Sequence, residues 1–550
     1  MLHAYDIEFD VDEGIADQGE YAEEEMISSR EPLAEVCNYP DLCTIVLYTD
    51  PKKLPKNFDT SQKIIAVDLV VPGGAMKLCN YLGDCVCDAQ ITPDTIQGII
   101  DRIYLYYKKQ GFPLISADFP TQDIGCGVLR IHILESTLSE LCFQGSKWSK
   151  PYLLADYFDI QPGDKINEKA LLKDLYLANR NPFRKSDIIY SPGNCPGTTN
   201  VTIYTEERSP FRVYTGVDDT GVRTTGRTRW MVGFNWGHAF FLDHVLSYQY
   251  TMSVDSADFQ AHTFQYVAPM YWGHIINLYG GFSKARADLN FPGLRNHGTS
   301  LQADVRYVIP LGITRHLNHE FAFGFDYKRT NNTLDFNEEF FDFRGNVNLS
   351  QFAFRYNGNF EKSKYRLDFD FEFFFSPGAM LGDESDEDYE SLRPGAKNQW
   401  EYARFALLYH QQLPRKFSFI ANMKAQASST NLLPSEQMGI GGYNSVRGYD
   451  ERQFNGDNAF LLSLEGRSPP LCFKGIVTQF LGFIDYGIGD DHKRIPDVKK
   501  AEWLLGAGPG IRVTYDSYFA GRLDWGIKLH NNAVFTGGWS IFHFAATASY

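Results

Sequence analysis

From about Pro210 to Tyr550, apolar and polar residues alternate with a period of two, over runs longer than a globular strand requires. The pattern is clearest in "YRLDFDFEF", where Tyr365, Leu367, Phe369, Phe371 and Phe373 point one way and Arg366, Asp368, Asp370 and Glu372 the other. "FRVYTGV", "SLQADVRYV", "FAFGFDYK", "WEYARFALLYH", "AFLLSLEG" and "FHFAATASY" repeat it. About sixteen such strand candidates of about ten to fifteen residues fit into this half of the chain, against ~5–6 residues for a typical globular strand. A soluble sandwich also alternates, with one face inward and one in water. Length separates the two cases, because a tilted strand of about ten residues crosses a bilayer. No apolar run approaches the ~18 residues of a spanning helix. Aromatic residues make up 15% of the chain (32 Tyr, 42 Phe) at a mean hydropathy of −0.31, so ring surface is plentiful without general greasiness.

Connection lengths point the same way. Links after even-numbered strands are tight ("FFLD", "YWGH", "EKSK", "LPRK", "SPPLCFKG", "DSY"), whereas those after odd-numbered strands are mostly long. The third long link takes in residues 289–298, the fourth "RTNNTLDFNEEFFDF", the fifth "PGAMLGDESDEDYESLRPGAK", the sixth residues 431–457 and the seventh "GDDHKRIPDVKKAE". Outer-membrane barrels keep this rhythm of short periplasmic turns and long outer loops, so the acidic run Asp383–Glu390 is expected outside, as a solvated loop. Backbone amides in a bilayer must be satisfied internally, which strands achieve only by closing. The expectation for 210–550 is a transmembrane β-barrel of about 16 antiparallel strands, with a lumen for water and polypeptide rather than a packed core.

Before residue 210 the period changes. "ITPDTIQGIIDRIYLYYKKQGFP" carries Thr92 as N-cap, Pro93 at the first helical position, apolar Ile96, Ile99, Ile100, Ile103 and Tyr107, and a stop at Gly111. Strands follow, then a second helix, "NEKALLKDLYLANR", capped by Asn167, and strands "SDIIYS" and "NVTIYTEE". Two small α/β modules are expected, at 62–135 and 136–209, after an acidic, cysteine-containing segment at 1–61. Eight of nine cysteines precede residue 200, which suggests disulfides in an oxidising space; Cys79, Cys85 and Cys87 match no four-ligand zinc spacing. The opening "MLHAYDIEFDVDEG" lacks the features of a secretory signal, so either the numbering begins on a processed chain or the signal is missing. A net charge of −16 argues against nucleic acid as a partner. No nucleotide-cradling or hydrolase motif occurs, and neither a catalytic residue, a cofactor nor a resident metal is expected.

Within 431–457, "GIGGYNSVRGY" sets Arg447 among glycines, just ahead of a long strand. In "FLGFIDYGIG", Asp485 and Phe483 share one face, while Phe480, Ile484 and Tyr486 share the lipid-suited other. Likewise "AFLLSLEG" turns Phe460, Leu462 and Leu464 outward and Glu465 inward. Carboxylates on the inner wall suit a guanidinium returning into the lumen, since arginine binds them through paired, charge-assisted hydrogen bonds.

With "GGYNSVRGY", "FIDYG" and the barrel opening "TGVDDTGVRTTGRTRW", the chain resembles the two-partner secretion transporters of the haemolysin-activator type (TpsB; ShlB/FhaC/HecB), in the superfamily that includes BamA. The resemblance implies two periplasmic POTRA modules and a sixteen-strand outer-membrane barrel whose sixth loop enters the pore. It implies Val446, Arg447, Gly448 and Tyr449 as the pore-loop motif, with Asp485, Phe483 and Glu465 as wall partners. It also implies secretion and activation of a β-helical client exoprotein without nucleotide hydrolysis, and contact with outer-membrane lipids. Phe542, Phe544 and the terminal Tyr550 resemble the signal read by the barrel assembly machinery, although phenylalanine is the more usual last residue. Residues 1–60 show no clear plug helix. An assembly or insertion factor of the BamA/TamA type is the alternative; a passive porin leaves the modules and Arg447 without a role.

Overall fold

The computed structural model describes residues 40–550 except 56–57, 59–61, 83–89, 257, 289–293, 314–315, 337–338, 342–345, 495–500 and 531–537. The acidic segment 1–39, with Cys37, therefore lies outside the described residues, as do Cys85 and Cys87.

The first α/β module has a four-stranded sheet in the order β2 (Ile64–Val67), β1 (Thr44–Tyr48), β4 (Val128–Glu135), β3 (Ile115–Asp118). Strand β1 runs parallel to both neighbours, and β3 is antiparallel to β4. Helices α1 (Ala75–Leu82) and α2 (Pro93–Gln110) cover one face, packing Leu78, Leu82, Ile99, Ile103 and Tyr107 onto Ile45, Leu47, Leu129, Ile131 and Ile133. Helix α2 has the caps that its sequence foretells. Thr92 accepts the Thr95 N–H, and Gly111 closes the helix at φ 100°, where a side chain would be strained. The module reaches further back than the expected boundary at residue 62, because β1 is its central strand. All five residues of "TIVLY" are buried, so the strand has no polar alternation to reveal it.

The second module sets β5 (Thr137–Gln144) parallel to β7 (Thr198–Glu207), and β7 antiparallel to β6 (Arg184–Pro192). Helix α3 (Pro151–Ala155) and helix α4 (Glu168–Ala178), capped by Asn167, complete it. The expected disulfides are not formed among the described residues: Cys43, Cys79, Cys126, Cys142 and Cys195 are free thiols, with no two sulfurs in bonding reach.

Residues 211–550 form a closed barrel of 16 long antiparallel strands. It opens with β8 (Phe211–Asp218) and β9 (Arg229–Ala239), and closes with β10 (Phe519–Lys528) and β11 (Ser540–Ser549). Other strands are named by their residues. Short turns such as 240–243 and 516–518 alternate with long links, as the sequence indicates. One hairpin, joined by a short periplasmic turn, is taller than expected: Leu294–Ile313 and Leu317–Phe336 stay paired up to Leu294 opposite Phe336, so much of the expected fourth loop is strand. Near its top the Thr299 hydroxyl donates to Asn331 across the pair at 2.6 Å.

The second module is bolted to the first periplasmic turn. Arg184 forks onto Asp243 at 2.9 and 2.6 Å, and Asp243 also accepts from Asn181 at 2.9 Å and Tyr157 at 2.5 Å. Asn181 reaches the Gly237 carbonyl at 2.6 Å, and Arg180 pairs with Glu320 of the wall. These groups are mostly buried, so the joint stands on fully partnered charge rather than on rim contacts.

Candidate functional site

Residues 429–457 leave strand Ser418–Ser428, turn back into the lumen and rejoin the wall at strand Asn458–Arg467. A short ladder, Met438–Ile440 with Phe454–Gly456, stiffens the returning arms. At the tip, Gly441 and Gly442 both lie at φ +104°, a conformation that favours glycine. The turn is closed by Gly442 N–H donating to the Val446 carbonyl at 3.1 Å, and by Gly441 N–H donating to Ser445 Oγ at 2.8 Å.

This tip puts Arg447 against the inner wall, 3% exposed. Its Nε donates to Asp485 Oδ2 at 2.7 Å and its Nη2 to Asp485 Oδ1 at 2.8 Å, a two-pronged grip reinforced by its own backbone N–H at 3.1 Å. Nη1 donates to Glu465 at 2.7 Å, and the Phe483 ring lies 3.5 Å beneath the guanidinium carbon. All three expected wall partners therefore meet the same arginine. They do so because Asp485 and Phe483 are two residues apart on strand Ile476–Asp490, whose neighbour, strand Asn458–Arg467, sets Glu465 opposite Phe483.

Val446 packs on Ile440, Ala459, Leu461 and Leu504, and the single proton of the Tyr449 hydroxyl lies between two carbonyl acceptors, Leu505 at 3.0 Å and His530 at 2.5 Å. Gly448, at φ +99°, lies flat against the wall. The wall makes room with its own glycines: a Cβ at Gly506 would collide with the Arg447 carbonyl, and one at Gly526 with the Gly448 nitrogen. Glycine inside a strand is the sequence signal for such close backbone approach.

Several groups escaped the sequence reading. Asp524 lies 3.4 Å from Arg447 and is held by Arg512 at 2.6 Å and Arg522 at 3.0 Å; Ser463 donates to Asp485 at 2.6 Å. His543 and Asp219 also reach the tip, through Gly448. All but Asp219, which directly follows β8, occupy inward positions of strands whose alternation is plain, but nothing local says which strands become neighbours.

The outer end differs from expectation. The acidic loop carries a helix, Asp386–Leu392, with a Ser385–Asp388 capping box; Asp383, Asp386, Glu387 and Glu390 stay exposed as expected, while Glu384 and Tyr389 turn inward. Glu384 is 2% exposed and accepts the N–H groups of Met380 and Leu381. Arg393 bridges Asp457 and Asp491, each at 2.5 Å. Tyr389, Trp400, Tyr402, Phe374, Leu432 and Leu433 form an apolar cluster below it, so the lumen is partly packed. A bore this wide gives loop side chains a wall to pack against, and burying those rings favours this inward packing. At the C-terminus Phe542 is exposed on the outer face, stacked on Trp525 at 5.7 Å. Phe544 shares that face by strand alternation, and Tyr550 is exposed while its backbone pairs with Val213.

Comparison with known proteins agrees with this architecture. The profile of the haemolysin secretion/activation protein ShlB/FhaC/HecB matches residues 197–513. The heme/hemopexin transporter protein HuxB of Haemophilus influenzae is 21% identical over 472 residues, covering 83% of this chain and 80% of that protein. The outer membrane transporter CdiB of Dickeya dadantii is 24% identical over 464 residues, covering 80% and 76%. The solved structure of CdiB from Escherichia coli superposes with a TM-score of 0.78 at 17% identity, covering 95% of this chain and 93% of that one. With two α/β modules, sixteen strands and a loop returned into the pore, this chain belongs to the ShlB/FhaC/HecB family of haemolysin secretion/activation proteins and is an outer-membrane transporter of two-partner secretion.

Proposed function

We propose that the loop 429–457 is a displaceable plug, and that the chain exports one β-rich exoprotein through the barrel once the plug shifts. The observation that carries this reading is the buried Arg447 held by Asp485 and Glu465. A tip fastened by charge-assisted hydrogen bonds has a defined closed position, yet it can exchange those bonds for water when a passing chain wets the lumen. The unfolded client first adds a strand to an open module edge, β6 or β3, where backbone hydrogen bonds give affinity with little demand on side chains. Folding outside then makes return unfavourable, so no nucleotide is needed. During biogenesis the last strand, with Phe542, Phe544 and Tyr550, is what the barrel assembly machinery recognises, and the outward rings then meet lipid.

The test is Arg447→Ala, with client secretion and heat-modifiability of the barrel measured side by side. Lost secretion from a normally folded barrel is expected. Full secretion from a folded barrel removes the tip from the mechanism, and loss of folding makes the ion pair architectural only.

A further inference from the structure

The barrel closes where β11 pairs with β8, and this seam is the shortest in the wall. Five residue pairs run from Ala545 opposite Asp218 to Ser549 opposite Tyr214. Every other pairing of long strands has eight or more. Just past the last pair, Asp219 takes over. Its N–H donates to the Phe544 carbonyl at 3.2 Å, its Oδ1 accepts the Phe544 N–H at 3.0 Å, and its Oδ2 lies 2.6 Å from His543 Nδ1. His543 faces the lumen, 2% exposed, and its Nε2 lies 3.0 Å from the Gly448 nitrogen. A backbone N–H can only donate, so Nε2 accepts and Nδ1 carries the proton given to Asp219. A single imidazole thus touches the first strand's end, the last strand and the pore-loop tip beside Arg447.

We propose that His543 is a positioning residue that couples withdrawal of the loop tip to loosening of the seam between the first and last strands. The inference rests on the reading of 429–457 as a displaceable plug. When the tip leaves, Nε2 loses its donor at a buried position, and the ring gains by turning toward water. Turning breaks its bond to Asp219, which is what extends the short ladder. When the seam parts first, the ring loses its anchor and releases Gly448. Linkage requires the two effects to be equal in size.

The test uses the full-length protein without client, in two measurements. One is open time in planar bilayers. The other is the distance between spin labels at Val217→Cys and Ala546→Cys, which face each other across the seam, with the native cysteines replaced by serine. His543→Phe is expected to raise open time about tenfold, the order lost with one buried hydrogen bond, and to broaden the label distances. His543→Gln, whose amide can accept from Gly448 and donate to Asp219, is expected to restore both. Arg447→Ala is expected to broaden the seam distances as well, and adding His543→Phe to it should open the pore no further than the more open single variant. Opening without any change at the seam, or independent multiplication of the two effects, overturns the proposal. If His543→Phe yields no heat-modifiable barrel, Asp219→Ala is read by the same measurements and decides in the same way. Secretion is assayed separately: lost coupling with intact secretion overturns this inference alone, whereas intact coupling with no role in secretion overturns the transport reading of the plug.

Discussion

Replacing Arg447 by alanine strips Asp485 of its guanidinium, while Glu465 keeps the two hydrogen bonds from Arg467. Leaving such a charge unpaired in a buried site costs roughly 3–5 kcal/mol, and less where water enters. The expected outcome is a tip that leaves the wall while the strands stay paired, seen as new protease cleavage between Gly439 and Tyr449 with unchanged heat-modifiability. Arg447→Lys should recover little, because an ammonium cannot span both Asp485 oxygens. The opposite approach acts through the wall. Gly506→Ala introduces a Cβ where the Arg447 carbonyl lies, so it should expel the tip with every charge still present; tight tip packing in that variant, read by the same proteolysis, would refute the close-approach argument. Arg447 and its partners were legible in the sequence because glycine context and strand alternation both speak locally. Asp524, His543 and Asp219 were not, since their meeting depends on which strands the closed barrel makes adjacent.

At the scale of elements, the joint between the second module and the turn after β9 rests on buried, partnered charge. Arg184→Ala leaves Asp243 with only its uncharged donors, Asn181 and Tyr157. It should let the modules swing, read as a broader distance distribution between labels on helix α4 and on the barrel wall. Helix α4 also carries a pH response. Burial pushes Asp174 up from its ordinary 3.8 to about 6. A raised folded value means the protonated form is the favoured one in the module. The stabilisation is therefore fully present below pH 3.8 and is lost as pH rises through about 6. Amide exchange in α4, corrected for its intrinsic pH dependence, should be slower at pH 5 than at pH 7, and Asp174→Asn should erase the difference. Helix α2 was readable from caps and spacing, but β1 was not: a fully buried five-residue strand shows no period, and only its pairing with β2 and β4 identifies it. Deleting residues 40–135, the whole first module with β1, should abolish client secretion while the barrel still folds.

For the whole molecule, strand length and the rhythm of short and long links were enough to foresee a closed sixteen-strand barrel, because bilayer thickness and backbone satisfaction leave few other solutions. They could not foresee how much of the bore is filled. The run Asp383–Glu390 keeps most of its charge in solvent, as its composition suggests, but Ser385 caps a helix there and Tyr389 buries its ring beneath it, which charge alone does not foretell. The tall hairpin Leu294–Phe336 has a further geometric result. Twenty residues in each of its strands span about 65 Å, or about 45 Å along the membrane normal at a tilt of about 45°, against an apolar band of about 25 Å. One flank of the rim must therefore rise as a parapet above the headgroups while the opposite flank stays low. An emerging polypeptide meets a lopsided threshold, with open water on one side and a standing sheet on the other.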